Sequence, residues 1–165
     1  MPIVKNFFIG LSNNPLLNKT AKEIGPMLGA NKVVAGNTIT ALVDTIERLN
    51  NKGITVTVDC LGEFVLTEGE AIQAKDQIIE VMYAIYNHNL DGHMSIKLSQ
   101  LGSEFDIDLA YRNLREILLK ANQFDNMHIN IDTEKYDSLF DITQVLDRLI
   151  GEFKKVGTVI QAYLY

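Results

Sequence analysis

Two hydrophobic periods take turns along most of the chain. Ile39, Leu42, Val43, Ile46 and Leu49 fall on one helical face that stops near Lys52-Gly53. Ile54, Val56 and Val58, interleaved with Thr55 and Thr57, predict a β-branched strand over residues 54–58. Thr67 followed three residues later by Glu70 has the form of a capping box. Behind it Ala71, Ala74, Ile78, Val81, Met82 and Ile85 make a second helical stripe. A strand is predicted over 93–98, and a third helix runs through Ala110, Leu114, Ile117, Leu118 and Ala121. A third strand is predicted over 127–131. Leu139, Ile142, Leu146, Leu149, Ile150 and Phe153 then form a fourth helical stripe, before a closing segment over 158–165 that holds a fourth strand and whatever follows it.

Strands separated by helices, with short connections, mean βαβ units and a parallel sheet. Residues 1–37 read differently. They hold Pro2, Pro15 and Pro26 together with Gly10, Gly25, Gly29 and Gly36, the pattern of short helices broken by turns. The expected organisation is therefore an N-terminal helical lead-in over 1–37, with one further strand weighed near 32–35, followed by β/α units over 38–165.

Composition narrows the class. With 47% hydrophobic and 22% charged residues in 165, the chain can bury a core, which excludes disordered and collagen-like classes. A net charge of −6 argues against nucleic acid or an anionic membrane surface as a generic partner. The lone Cys60 excludes an internal disulfide framework and suits a reducing cytoplasm. No apolar run approaches the roughly 20 residues that span a bilayer, and residues 1–11 lack the build of a signal peptide. Phe7, Phe8 and Leu11 suit docking onto the sheet, with peripheral membrane contact as the alternative.

Chemistry in parallel α/β folds gathers at the carboxyl ends of the strands. Each predicted strand brings a polar residue there: Asp59, Lys97, Asp132 and Gln161. Lys97, between Ile96 and Leu98, is either a partnered ammonium inside the sheet or a solvated residue on an edge strand. Asp132 is a site carboxylate or a turn and helix-capping aspartate. Gln161 holds a ligand or is a satisfied core amide. Asp59 and Glu63 are candidate catalytic carboxylates, or turn and cap residues. His88, His93 and His128 lack metal-ligand spacing, so no metal is expected. A G-x-G-x-x-G after a strand, a Walker A loop and a nucleophile elbow are all missing from the sequence.

Four strings then carry a resemblance. Leu61-Gly62-Glu63, Ser95-Ile96-Lys97-Leu98-Ser99-Gln100-Leu101-Gly102, Asn130-Ile131-Asp132-Thr133-Glu134 and Gly157-Thr158-Val159-Ile160-Gln161-Ala162-Tyr163-Leu164 together resemble proline dehydrogenase. Phe7-Phe8 and Ala35-Gly36-Asn37-Thr38 are similar to the stand-alone bacterial form. The resemblance implies a (β/α)8 TIM-barrel family fold, of which this chain supplies about the first half, four to five β/α units. It implies FAD as cofactor and oxidation of L-proline to 1-pyrroline-5-carboxylate, with a membrane quinone as electron acceptor. It further implies that Lys97 pairs with the proline carboxylate and that Asp132 is the active-site acid. Thr133 would face the flavin, Gln161 would hydrogen-bond its ring, and Glu63 would be one half of an ion pair closing over substrate. Half a barrel implies an incomplete site and self-association through exposed edges. The alternative is a non-catalytic half-barrel module. A phosphate-binding barrel isomerase is the other class that fits the alternation, and no glycine-rich phosphate loop supports it.

Overall fold

The computed structural model describes residues 36, 38–62, 65–136 and 139–162. Apart from Gly36, the lead-in over 1–37 lies outside the described residues, as do the strand weighed near 32–35 and Glu63. Two units divide the chain, Met1–Thr45 and Ile46–Tyr165, and the sheet lies wholly in the second.

Helix α1 (Ile39–Asn50) begins where the Thr38 hydroxyl accepts the Ala41 N–H at 3.2 Å. It ends in a Schellman turn: Gly53, at φ +74°, lets the Ile54 amide return to the Leu49 carbonyl and its own amide to Asn50. That turn consumes Ile54 and shortens the predicted strand, so β1 is Val56–Asp59. Helix α2 (Glu68–Asn87) carries the predicted capping box in full, with Thr67 and Glu70 satisfying each other's backbone N–H groups. Its buried stripe includes Ala71, Ile78, Val81, Met82 and Ile85, as the spacing predicts. Asn89, at φ +52°, closes α2 as Gly53 closes α1, with Leu90 bonded back to Ile85.

Strand β2 (Gly92–Ile96) follows, then a short 3₁₀ turn (Leu98–Leu101) and helix α3 (Ile107–Ala121) capped by the Asp106 carboxylate. Strand β3 (Ile129–Ile131), helix α4 (Leu139–Leu149) and strand β4 (Val156–Thr158) complete the order. The fourth helix buries Ile142, Val145 and Leu149, with Phe153 just beyond. The predicted stripe overran it by placing Ile150, which is 62% exposed, on the core side. The last strand begins two residues earlier than predicted and ends before Val159.

All four strands are parallel, in the order β1-β2-β3-β4, so each neighbour pair is joined by a helical crossover. Register sorts the side chains into two faces. Val58, Met94, Ile129 and Val156 share a row, and Ile96 and Ile131 share the next; all six are buried. Helices cover this face. A Cβ on Gly92 would come within 3.4 Å of the Ile85 side chain of α2. The alternate row is polar: Asp59, Ser95, Asn130 and Gly157 lie side by side. Parallel sheets are ordinarily apolar on both faces, so a polar row marks the face where chemistry can sit.

Between helices, Lys75 of α2 is buried and reaches Glu116 of α3 at 2.8 Å and Asp76 at 3.1 Å. The Arg115 guanidinium grips the Glu152 carboxylate with two bonds, and Arg148 lies 3.6 Å above the Tyr111 ring. Among the described residues no helix is long and apolar enough to cross a membrane. Stability resides in the helix-covered face. Leu114→Ala in the fully buried side of α3 should cost about 2–5 kcal/mol. Thr67→Ala should cost about 1 kcal/mol. Urea denaturation of both variants checks the order; a cap more costly than the core would contradict it.

Candidate active site

The four polar residues expected at the strand ends sit at the carboxyl side of the sheet, but Lys97 and Gln161 do not lie within strands. Lys97 leaves β2 because the Gln100 side chain, and not a neighbouring strand, accepts its amide at 3.1 Å. That bond starts the 3₁₀ turn. The edge-strand reading of Lys97 fails as well, since β2 is paired on both sides. Its side chain is only 14% exposed, and Nζ lies 2.6 Å from Oδ2 of Asp59, itself 37% exposed. The pair is a diagonal contact from the end of β2 to the end of β1, within reach of a long side chain.

Asp132 follows β3 directly, and its amide donates to the Ile96 carbonyl at 2.8 Å. This extends the β2–β3 ladder by one step and sets Asp132 beside Lys97. The Asp132 carboxylate makes no hydrogen bond to another described residue. Thr133 donates its hydroxyl to the Val159 carbonyl at 2.9 Å, tying the loop after β3 to the end of β4. Gln161 is a coil residue and not a break within a strand; its amide points to the Thr133 carbonyl at 3.5 Å. Beside it Ile160 is 84% exposed. Asp59, Lys97, Asp132, Thr133 and Gln161 are thus ordered across the mouth from β1 to β4, while Glu63 lies outside the described residues.

Four polar residues that single-residue reasoning passed over, Ser99, Gln100, Asn113 and Glu134, tie down these ends. The Gln100 amide donates to the Cys60 carbonyl, so one buried side chain binds the ends of β1 and β2 together. The Glu134 carboxylate accepts from both the Ser99 amide, at 3.2 Å, and the Ser99 hydroxyl, at 2.6 Å. From below, Asn113 of α3 donates to the Leu101 carbonyl at 3.1 Å. Gly102, at φ +103°, ends the turn in a conformation that disfavours any side chain. A polar triplet straight after an apolar strand was the available signal; which partner each residue takes is set by register, which no local pattern displays.

On the same polar face at the opposite end of the strands, the His93 and His128 rings meet edge to face at 6.2 Å. His93 Nδ1 is buried without a hydrogen-bond partner. Among the described residues no group of three or more His, Cys, Asp or Glu side chains is arranged to hold a metal. The Cys60 thiol is pushed up to about 11 by burial and by the neighbouring Asp59 carboxylate, with the Lys97 ammonium pulling the other way.

Comparison with known proteins identifies the family of the chain as a whole. The proline dehydrogenase family profile matches residues 42–165. Proline dehydrogenase 1 of Bacillus subtilis (strain 168) is 40% identical over 163 residues, covering 99% of this chain and 54% of that protein. Proline dehydrogenase of Deinococcus radiodurans is 32% identical over 141 residues, covering 82% of this chain and 45% of that protein. The chain therefore spans about half the length of the curated relatives it matches. Among solved structures, proline utilization A from Bdellovibrio bacteriovorus, inactivated by N-propargylglycine, superposes with a TM-score of 0.76 over 90% of this chain and 18% of that one. At 22% identity that likeness concerns the fold. Proline utilization A from Corynebacterium freiburgense gives a TM-score of 0.64 at 30% identity, covering 75% of this chain and 14% of that one.

The raised thiol makes Cys60 a poor nucleophile at neutral pH, because only the thiolate reacts. At pH 8 about one thiol in a thousand is ionised, so alkylation by iodoacetamide should be slow and should accelerate toward pH 11. The native state holds this proton more tightly than the unfolded chain. The associated stability is therefore complete below the ordinary value of 9.0 and is lost as pH rises toward 11. An alkylation profile that levels off below pH 9 would contradict the burial.

Proposed function

The chain belongs to the proline dehydrogenase family, and on that footing we propose that it contributes the Lys97–Asp132 side of a site at which FAD oxidises L-proline to 1-pyrroline-5-carboxylate. The observation that carries the reading is the half-buried Lys97 ammonium, held by Asp59 at the mouth of the sheet and set beside Asp132. Lys97 binds the substrate carboxylate. An ammonium offers three donor hydrogens, so pairing with Asp59 and holding a second carboxylate are compatible. Asp132 supplies negative charge near the ring nitrogen, where positive charge must be stabilised as the amine becomes an iminium.

The residues at the β3–β4 mouth fit a flavin. Thr133 and Gln161 bring a hydroxyl and an amide to one place, and exposed Ile160 lies beside Gln161 as apolar surface for a flat ring. When bound, the flavin supplies the hydride-accepting chemistry that no side chain can. The chain's own residues orient the zwitterion: Lys97 fixes one end, and Asp132 sets the field at the other.

Self-association belongs to the same reading. Among the described residues each outer strand of the sheet, β1 and β4, pairs on one side only, and Leu61, Leu66, Tyr136 and Phe140 are exposed apolar side chains. Light scattering should give a dimer or larger species; a monodisperse monomer would remove this part of the proposal.

The main test is spectroscopic. Protein purified with FAD should show flavin absorbance that bleaches when proline is added without oxygen. Lys97→Ala should keep the flavin and raise KM for proline by about 10- to 100-fold, the worth of a charge-assisted bond. An unchanged KM would overturn the role of Lys97. Colourless protein that FAD cannot reconstitute would instead mark the chain as a non-catalytic module.

A further inference from the structure

We propose that Glu134 is a positioning residue, whose carboxylate clamps the 3₁₀ turn after β2 to the loop after β3 and so fixes Lys97 in register with Asp132. The inference rests on the reading of Lys97 as the carboxylate-binding residue, and it concerns how that lysine is held.

Ser99 is the point of attachment. It is buried at the crossing of the two loops, and Glu134 takes both its amide and its hydroxyl. Two bonds from one carboxylate to one residue fix orientation as well as distance, as paired bonds do elsewhere. Lys97 lies two residues before this anchor, and its amide is already spent on Gln100, whose own amide reaches Cys60. The strap therefore runs from β1 through Gln100 to β2, and from β2 through Ser99 to Glu134 beyond β3. Glu134 also stands two residues after Asp132. One loop thus carries both the acid of the proposed site and the clamp that sets the lysine opposite it. Asn113 pins the far end of the turn at Leu101, so loss of Glu134 frees the near end, where Lys97 sits, and not the whole turn.

The chemistry of amines supplies a readout that does not need turnover. Lys97 held against Asp59 at 14% exposure should react slowly with an N-hydroxysuccinimide ester. Lys75, buried between α2 and α3 against Glu116, is an internal reference for the integrity of the helices. In Glu134→Ala, acylation of Lys97 followed by mass spectrometry should rise about five- to tenfold, the equivalent of losing a hydrogen bond or two. Lys75 should not change. Glu134→Gln, which can still accept the Ser99 amide, should restore most of the protection. Glu104→Ala, which removes one ion-pair partner of neighbouring Lys135 and leaves the clamp, should have no effect on Lys97.

An unchanged Lys97 rate in Glu134→Ala overturns the proposal. So does a parallel rise at Lys75, which would mean general loosening. Protection of Lys97 by added proline is measured in the same experiment. If proline fails to protect while Glu134→Ala still accelerates the reaction, the carboxylate-binding role falls and the clamp stands.

Discussion

A single constraint governs this molecule: in a pleated strand, neighbouring residues must point to opposite faces. Four parallel strands in fixed register extend that rule across the sheet. Val58, Met94, Ile129 and Val156 form one row, and Asp59, Ser95, Asn130 and Gly157 form the next. A slip of one residue in β1, β2 or β3 would drive a polar side chain under the helices and an apolar one into the alternate row. The same register that builds the core therefore delivers the polar residues to the opposite face. Packing and site geometry cannot be altered separately here.

Much of this was readable in the sequence because it follows from local rules. Thr67 and Glu70 specify a cap within four residues, and the stripes from Ala71 to Ile85 and from Ala110 to Ala121 specify helices within a few turns. That the strands run parallel also followed, since strands joined through helices by short connections form βαβ units. Strand boundaries did not. Ile54 is as β-prone as Val56, yet the Gly53 turn claims it, and the apolar run from Val159 lies beyond β4. At Ile54 the hydrogen bond to Leu49 at the end of α1 outweighs intrinsic preference. Lys97 shows the limit most clearly. Its position between Ile96 and Leu98 reads as strand, and only the Gln100 side chain, three residues ahead, turns it out of the ladder.

The candidate site was legible as residue types and not as partnerships. Asp59 and Lys97 each stood out, but they are 38 residues apart and meet through strand register. Glu134 and Ser99 are 35 apart and meet for the same reason. Pairings of this kind are produced by tertiary structure, so no window along the chain contains them. The resemblance to proline dehydrogenase supplied roles for Lys97 and Asp132, while the residues that hold them emerged from the geometry of the loops.

The ion pairs of the molecule divide by what surrounds them. Arg148–Asp108 and Lys135–Glu104 lie on exposed helix and loop surface, where water and salt leave a pair worth roughly 0–1 kcal/mol. Lys97–Asp59 is the most sheltered pair at the strand ends, and shelter cuts both ways: desolvation of each charge offsets much of the attraction between them. Such a pair adds little to stability, so its value must be sought in what it holds in place. It keeps an ammonium oriented in a half-buried position that an unpartnered lysine would leave by swinging into solvent. A second carboxylate brought to that ammonium would meet a group already partly desolvated and ordered. Pre-organisation of this sort favours binding without new contacts. The clamps on this turn accordingly engage buried Gln100, Ser99 and Asn113, with the Glu134 carboxylate gripping Ser99. Each of these clamps has one partner withdrawn from water, where a hydrogen bond is stronger than at the surface and holds the loop that carries the preset ammonium.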